Sequence, residues 1–116
     1  MTVWGNRVSP VFDSAQTILL ADIDNMEITG RKREFIPVTA PSTMAGTLVK
    51  LNIDTLICGA ISKQPAEIIE EAGITLLPFI TGNAEQILEE FARKQSMSKY
   101  IMPGCSMNLQ KGNNAS

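Results

Sequence analysis

The sequence predicts an α/β domain built on a mixed five-stranded sheet with three helices. Short apolar runs of strand length recur at residues 2–4, 17–23, 28–37, 54–58 and 74–80. In the second half such runs alternate with segments of helical period, the pattern of right-handed parallel crossovers. The first three runs are joined too tightly for crossovers and must form an antiparallel meander. Parallel strands need cover on both faces, which three helices can supply.

The 116 residues make one domain, and a chain of this size buries roughly two-thirds of its unfolded surface. A hydrophobic share of 44% with 19% charged residues is that of an ordinary globule, and a net charge of −2 argues against a nucleic-acid or anionic-membrane surface. No apolar run approaches the roughly 18 residues of a membrane span, and residues 1–20 lack the layout of a signal peptide, so the expected location is cytoplasmic. Two cysteines, Cys58 and Cys105, are no disulfide framework. The absence of histidine removes His-dependent triads and His-containing zinc sites.

Thr2 to Trp4 make a very short first strand, ended by the turn residues Gly5 and Asn6. In the following loop Pro10 fixes its own φ and pushes Ser9 to an extended conformation, while Val11 and Phe12 are expected to pin the loop to the core. Residues 17–23, TILLADI, are the clearest strand, and Asp24-Asn25 is a turn signal. Residues 28–37 return as its antiparallel partner. Their Arg31-Lys32-Arg33-Glu34 centre reads as an edge protected by charge rather than as a binding patch.

Residues 41–51 form a helix, with proline in the first turn, Met44, Leu48 and Leu51 on one face, and Asn52 as a left-handed end. Gly46 weakens that helix and is expected to serve close packing. The stretch 54–62, DTLICGAIS, is a buried strand running through Gly59 into a helix that Ser62 caps. Ligands of α/β sheets sit at such carboxyl strand ends. A helix over 63–72 should turn Ala66, Ile69 and Ala72 inward, and Gly73 closes it. After the strand at 74–80, Asn83 and Gln86 form a capping-box start to a third helix, with Ile87, Leu88 and Phe91 on its apolar face, fading near Lys94. The chain then turns polar, with an ordered island at YIMPGCSM, and 108–116 reads as a disordered tail after a single domain over 1–107.

The blocks WGNRVSPVFDSA, LLADID, LNIDTLICGAIS, AGITLLPFITGNAEQIL and MPGC resemble the dinitrogenase iron-molybdenum cofactor biosynthesis family, the NifX and NifB C-terminal type of domain, over residues 3–105. VSPVFD and ICGAIS in this order are the specific part of the resemblance. It implies a ribonuclease H-like three-layer fold with strand order 3-2-1-4-5 and strand 2 antiparallel. It also implies non-catalytic binding or carrying of an iron-molybdenum or related metal-sulfur cluster, with cluster-assembly proteins, an ATPase among them, as partners. The first strand is short for a central strand of that fold, which points to a truncated or misassigned start.

With no histidine, cluster ligation falls to Cys58 and Cys105, soft thiolate ligands, the latter flanked by Met102 and Met107. Cys58 reads equally as a small buried hydrophobe. Two thiols cannot complete a four-cysteine site, so a monomer must take a preassembled cluster and a weak dimer could share one. Asn6, Arg7, Ser9 and Asp13 form a second candidate surface, with Arg7 pairing an anionic cluster or a carboxylate. The plainer reading of this pair is a surface arginine and a turn-capping aspartate. Gly59 and the backbone N–H groups of residues 60–63 suggest an anion site at the helix start, yet one glycine is neither a Walker A loop nor a dinucleotide fingerprint. A two-metal nuclease is excluded, because Thr2, Val3 and Trp4 offer no acid on the first strand. The competing function is an interaction or regulatory module that keeps the fold without a metal ligand.

Overall fold

The computed structural model describes residues 1–37 and 40–102. Along the chain it runs β1 (Thr2–Trp4), β2 (Arg7–Val8), a 3-10 turn (Phe12–Ser14), β3 (Thr17–Asp24), β4 (Glu27–Phe35), α1 (Pro41–Lys50), β5 (Thr55–Ile57), α2 (Lys63–Glu71), β6 (Thr75–Leu77), α3 (Ala84–Ala92) and a second 3-10 turn (Ser98–Tyr100). The α/β class and the three helices stand as the sequence predicts.

Successive strand residues point to opposite faces, and two cores result. Leu19 and Ile57 belong with Val3, Ile87 and Leu88 in a cluster under α3, whereas their neighbours Ile18 and Leu56 join Met44, Leu48 and Ile69 under α1 and α2. Strands apolar on both sides are therefore covered on both sides, in three layers.

The expected single five-stranded sheet is not what the chain forms. The ladders make a four-stranded antiparallel sheet in the order β2-β1-β3-β4 and a separate parallel pair, β5-β6. The adjacencies implied by order 3-2-1-4-5 hold within each half, with β1 antiparallel to β3 and β3 to β4. The join between β1 and β5 does not. Its cause is the turn at Gly5, where φ is +64°, which folds Arg7–Val8 back onto β1 so that Val3 pairs with Val8. The second edge of β1 is thus taken by its own continuation. Only a single parallel bridge, Val11 to Ala60, ties the two sheets at this point.

The β3–β4 hairpin turns on Asn25 and Met26, with φ of 55° and 63°, the two left-handed residues that a two-residue type I′ turn demands. On its charged outer strand, Arg31 meets Glu85 at 3.2 Å and Lys32 meets Glu34 at 2.8 Å. Arg31, Lys32 and Glu34 are thus engaged in surface pairs and Arg33 donates to the Gly5 carbonyl at 2.9 Å, so the edge is blunted by charge. Helix ends follow the sequence closely. Asn52 and Lys94 are left-handed at φ 60° and 61°, and Gly73 at 90°. Asn83 Oδ1 accepts the Gln86 N–H at 2.9 Å. Two details differ. A Cβ on Gly46 would meet nothing within 4 Å, so close packing is not its role, and Ala72 is exposed, Pro65 and Ile69 being the buried residues of α2.

After α3 the chain returns to the sheet. Tyr100 is buried, its carbonyl accepts the Thr81 N–H at 2.7 Å, and Ile101 bridges Ile80. Its hydroxyl donates to Glu90, which Lys99 also reaches at 3.0 Å.

Candidate functional site

The carboxyl ends of β5 and β6 carry the residues that the sequence singles out, and the loop between β2 and β3 lies directly on them. The Ala60 N–H donates to the Pro10 carbonyl at 2.8 Å, and the Phe12 N–H donates back to the Ala60 carbonyl at 2.7 Å. Phe12, 4% exposed, anchors this clamp in the core under α1 and α2. Val11 does not share that work, being 42% exposed. The backbone bonds of its neighbours Pro10 and Phe12 to Ala60, not its side chain, hold the loop there.

Gly59 is the contact point. A Cβ there would lie 2.3 Å from the Ser9 oxygen and 2.5 Å from that of Pro10, so no larger residue fits unless the loop lifts. Ser9 is buried, donating its N–H to the Thr2 carbonyl at 3.0 Å and its hydroxyl to that of Val11 at 3.4 Å. On the outside, Ser62 does not cap α2 with its side chain. Its hydroxyl donates to Asp13 Oδ2 at 2.5 Å, a second tie between loop and turn. The N–H of Ala60 is consumed by Pro10, which removes it from the anion site expected over residues 60–63.

Asn6 and Arg7 stand at the start of α3 instead. The Asn6 carbonyl accepts the Ala84 N–H at 2.9 Å, and Arg7 bridges Asn83 through its backbone. Both side chains are exposed, and Arg7 has no ion pair among the described residues. The rim therefore offers a guanidinium on one side and the Asp13–Ser62 pair on the other.

Cys58 lies beneath this surface, 0% exposed among Phe12, Ile18 and Leu56. Burial pushes its thiol up to about 12; the Met1 ammonium opposes that and Asp13 adds to it. Deprotonating such a thiol at pH 7 costs about 7 kcal/mol at 1.36 kcal/mol per unit, so Cys58 is a neutral packing residue in this conformation. Among the described residues no group of three or more Cys, His, Asp or Glu could hold a metal ion. Cys105, Met107 and the 108–116 tail lie outside the described residues.

The last described residue is informative. The Met102 N–H donates to the Phe79 carbonyl at 2.7 Å, and the Phe79 N–H to the Gly59 carbonyl at 2.9 Å. The chain reaches residue 102 beside the turn that carries Cys58. Sequence reasoning found the loop and the turn separately but missed their direct contact. An isolated glycine at a strand end was the available signal, since it marks close backbone approach.

A groove of about 940 Å3 opens between the middle of β3 and the start of β5, with Met1, Ala21 and Thr55 among its lining residues. No helix among the described residues is long and apolar enough to cross a membrane.

Residues 1–94 match the family model described as dinitrogenase iron-molybdenum cofactor. Among solved structures, PH0822 is similar at TM-score 0.71 and 15% identity over 77% of this chain and 79% of that one. A Methanocaldococcus jannaschii protein with a provisional dinitrogenase assignment is similar at TM-score 0.66 and 18% identity, over 81% of this chain and 86% of that one. At such identities the structural likeness is one of fold. No curated protein matches the sequence.

Proposed function

The chain belongs to the dinitrogenase iron-molybdenum cofactor family, and from that membership we propose that it binds and carries a preassembled iron-molybdenum or related metal-sulfur cluster without catalysing a reaction on it. The cluster is cargo, handed between cluster-assembly proteins of the cytoplasm, and the carrier is a monomer or weak dimer. The described residues alone do not fit direct ligation, since their one thiol, Cys58, is buried and protonated. The proposed soft ligand is Cys105. Support comes from the Met102–Phe79–Gly59 hydrogen-bond path, which brings the described chain to the Gly59 turn three positions before Cys105 in the sequence. Arg7, with Asn6 beside it, is the proposed partner for the cluster's negative charge; Ser9, Asp13 and Gly59 shape the rim. Cys58 holds the turn rather than the metal.

The test is anaerobic reconstitution with iron and sulfide plus molybdate, or with tetrathiomolybdate and copper, read by visible absorption and metal analysis. Stoichiometric binding in the wild type and Cys58→Ala, lost in Cys105→Ser and weakened in Arg7→Ala, is the expected result. No bound metal in any of them, where a known carrier reconstitutes, overturns the reading. The burial of Cys58 favours one second reading, an interaction or regulatory module that keeps the fold without a metal and acts on an assembly partner such as an ATPase. It would bind that partner and stay metal-free in the same experiment.

A further inference from the structure

Phe79 is the one aromatic residue with a left-handed backbone among the described residues, at φ 62°. The other non-glycine residues of that kind have ordinary reasons: Asn25 and Met26 turn the β3–β4 hairpin, and Asn52 and Lys94 follow helix ends. A bulky residue in this conformation is strained, because its Cβ crowds the following carbonyl oxygen. Glycine takes the same conformation freely.

The turn after β6 does need that conformation. The Phe79 N–H donates to the Gly59 carbonyl at 2.9 Å, the Ile80 N–H donates to that of Cys58 at 3.0 Å, and the Phe79 carbonyl accepts the Met102 N–H at 2.7 Å. All three bonds are made by backbone atoms, so a glycine at position 79 would make them without the strain. Packing does not account for the ring either. Phe79 is half-buried, yet among the described residues it packs against neither core, whereas Leu77 and Ile80 on either side both join the core under α3. Strain that returns neither a hydrogen bond nor core packing, at a turn beside the candidate site, points to a role for the side chain in function.

The position of Phe79 says what that role is. It stands at the carboxyl end of β6 against the Gly59 turn, and the same stretch runs on to Gly82 and Asn83, where the Val8 N–H donates to the Gly82 carbonyl at 3.0 Å and Arg7 bridges Asn83. An aromatic residue and a cationic one thus belong to one rim. A guanidinium attracts any anion, whether its surface is oxygen or sulfur. An aromatic ring does not. Pressed against a hydrated oxyanion it removes water and returns no hydrogen bond, while sulfur is soft, polarizable and packs favourably on aromatic rings.

We propose that Phe79 selects sulfide-faced over oxygen-faced anions at this site, its ring packing against the sulfur surface of the cargo while Arg7 meets the charge. The inference rests on the carrier reading and adds to it the residue that distinguishes a metal-sulfur cargo from a metal oxyanion.

The test is anaerobic equilibrium dialysis of the full chain against tetrathiomolybdate or molybdate, tetrahedral dianions that differ in carrying sulfur or oxygen, read by molybdenum analysis. The wild type should bind tetrathiomolybdate at least about tenfold more tightly than molybdate. Phe79→Gly should cut that preference to below about threefold, Phe79→Tyr should keep it, and Arg7→Ala should weaken both anions alike. Thermal unfolding is the second readout. Phe79→Gly should melt within about 4 °C of the wild type, the relieved backbone offsetting the lost ring. A larger fall would assign the ring to packing and overturn the proposal, and so would an undiminished preference in Phe79→Gly. The wild type separates this proposal from the reading beneath it: a chain that takes up the reconstituted cluster but does not prefer tetrathiomolybdate keeps the carrier reading and sinks the role of Phe79, while one that takes up neither loses both.

Discussion

Replacing Gly59 by alanine tests the clamp more sharply than any other single change. The new methyl would sit 2.3 and 2.5 Å from two backbone oxygens, where carbon normally keeps about 3.5 Å or more from a non-bonded neighbour. Those atoms belong to Ser9 and Pro10, and neither can rotate away as a flexible side chain could. Ser9 is tied to Thr2, and Pro10 accepts from Ala60. Overpacking of this kind costs typically 1–3 kcal/mol. Lifting the loop also breaks the Ala60–Pro10 and Phe12–Ala60 bonds, about 1 kcal/mol each. The expected loss is therefore about 3–5 kcal/mol, a large share of the 5–15 kcal/mol that stabilises a typical domain. Urea unfolding followed by far-ultraviolet circular dichroism measures it, with an unchanged m-value showing that the unfolded state is not the cause. Gly46→Ala is the internal control. A Cβ there meets nothing within 4 Å in an exposed helical position, so it should stabilise by about 0.5–1 kcal/mol. A Gly59→Ala protein within 0.5 kcal/mol of the wild type would refute the close approach of loop and turn.

Three further outcomes are expected. Asn83→Ala removes the one acceptor that serves the Gln86 N–H and should cost about 1 kcal/mol in the same assay, with Asn83→Gly costing less. Cys58 should resist iodoacetamide at pH 8 in the native protein and react fully in denaturant, as read by peptide mass mapping; rapid native labelling would contradict its burial. Burial lowers the Met1 amine from 8.0 to about 6, so between those values the unfolded chain binds the extra proton. Stability should accordingly rise by about 2.7 kcal/mol from pH 5.5 to 8.5 through this group, all of the gain present above pH 8 and lost as pH falls through 6. Acetylating that amine should flatten the dependence, and an unchanged slope would contradict the buried ammonium.

The order of elements was legible because each carries its own punctuation. Asn52, Gly73 and Asn83 mark helix ends through local backbone chemistry, and TILLADI cannot be read as anything but a strand. What was not legible depends on the chain meeting itself at a distance. Arg7–Val8 are too few to show a period, yet by folding onto Val3 they decide that the sheet splits. Ser62 has the residue type of a cap, but a carboxylate 49 positions away outbids the helix for its hydroxyl. Gly46 and Gly59 look alike in sequence; only the second has a backbone against it. Cys58 stayed ambiguous for the same reason, because whether a thiol is ligand or filler depends on what lies over it, and Phe12 comes from a loop far away in the sequence.

The contacts between residues 10–13 and 60–62 join segments about fifty positions apart in a chain of 116. Closing a loop of that length costs on the order of 3.5 kcal/mol of chain entropy before any bond is made. Those bonds form cheaply only after β3, β4 and α1 have brought the ends together, which makes the clamp a late event in folding and an early one to open. The rim that gathers Arg7, Asp13 and Ser62 is thus a readout of the whole fold. No fragment that lacks either half can reproduce it.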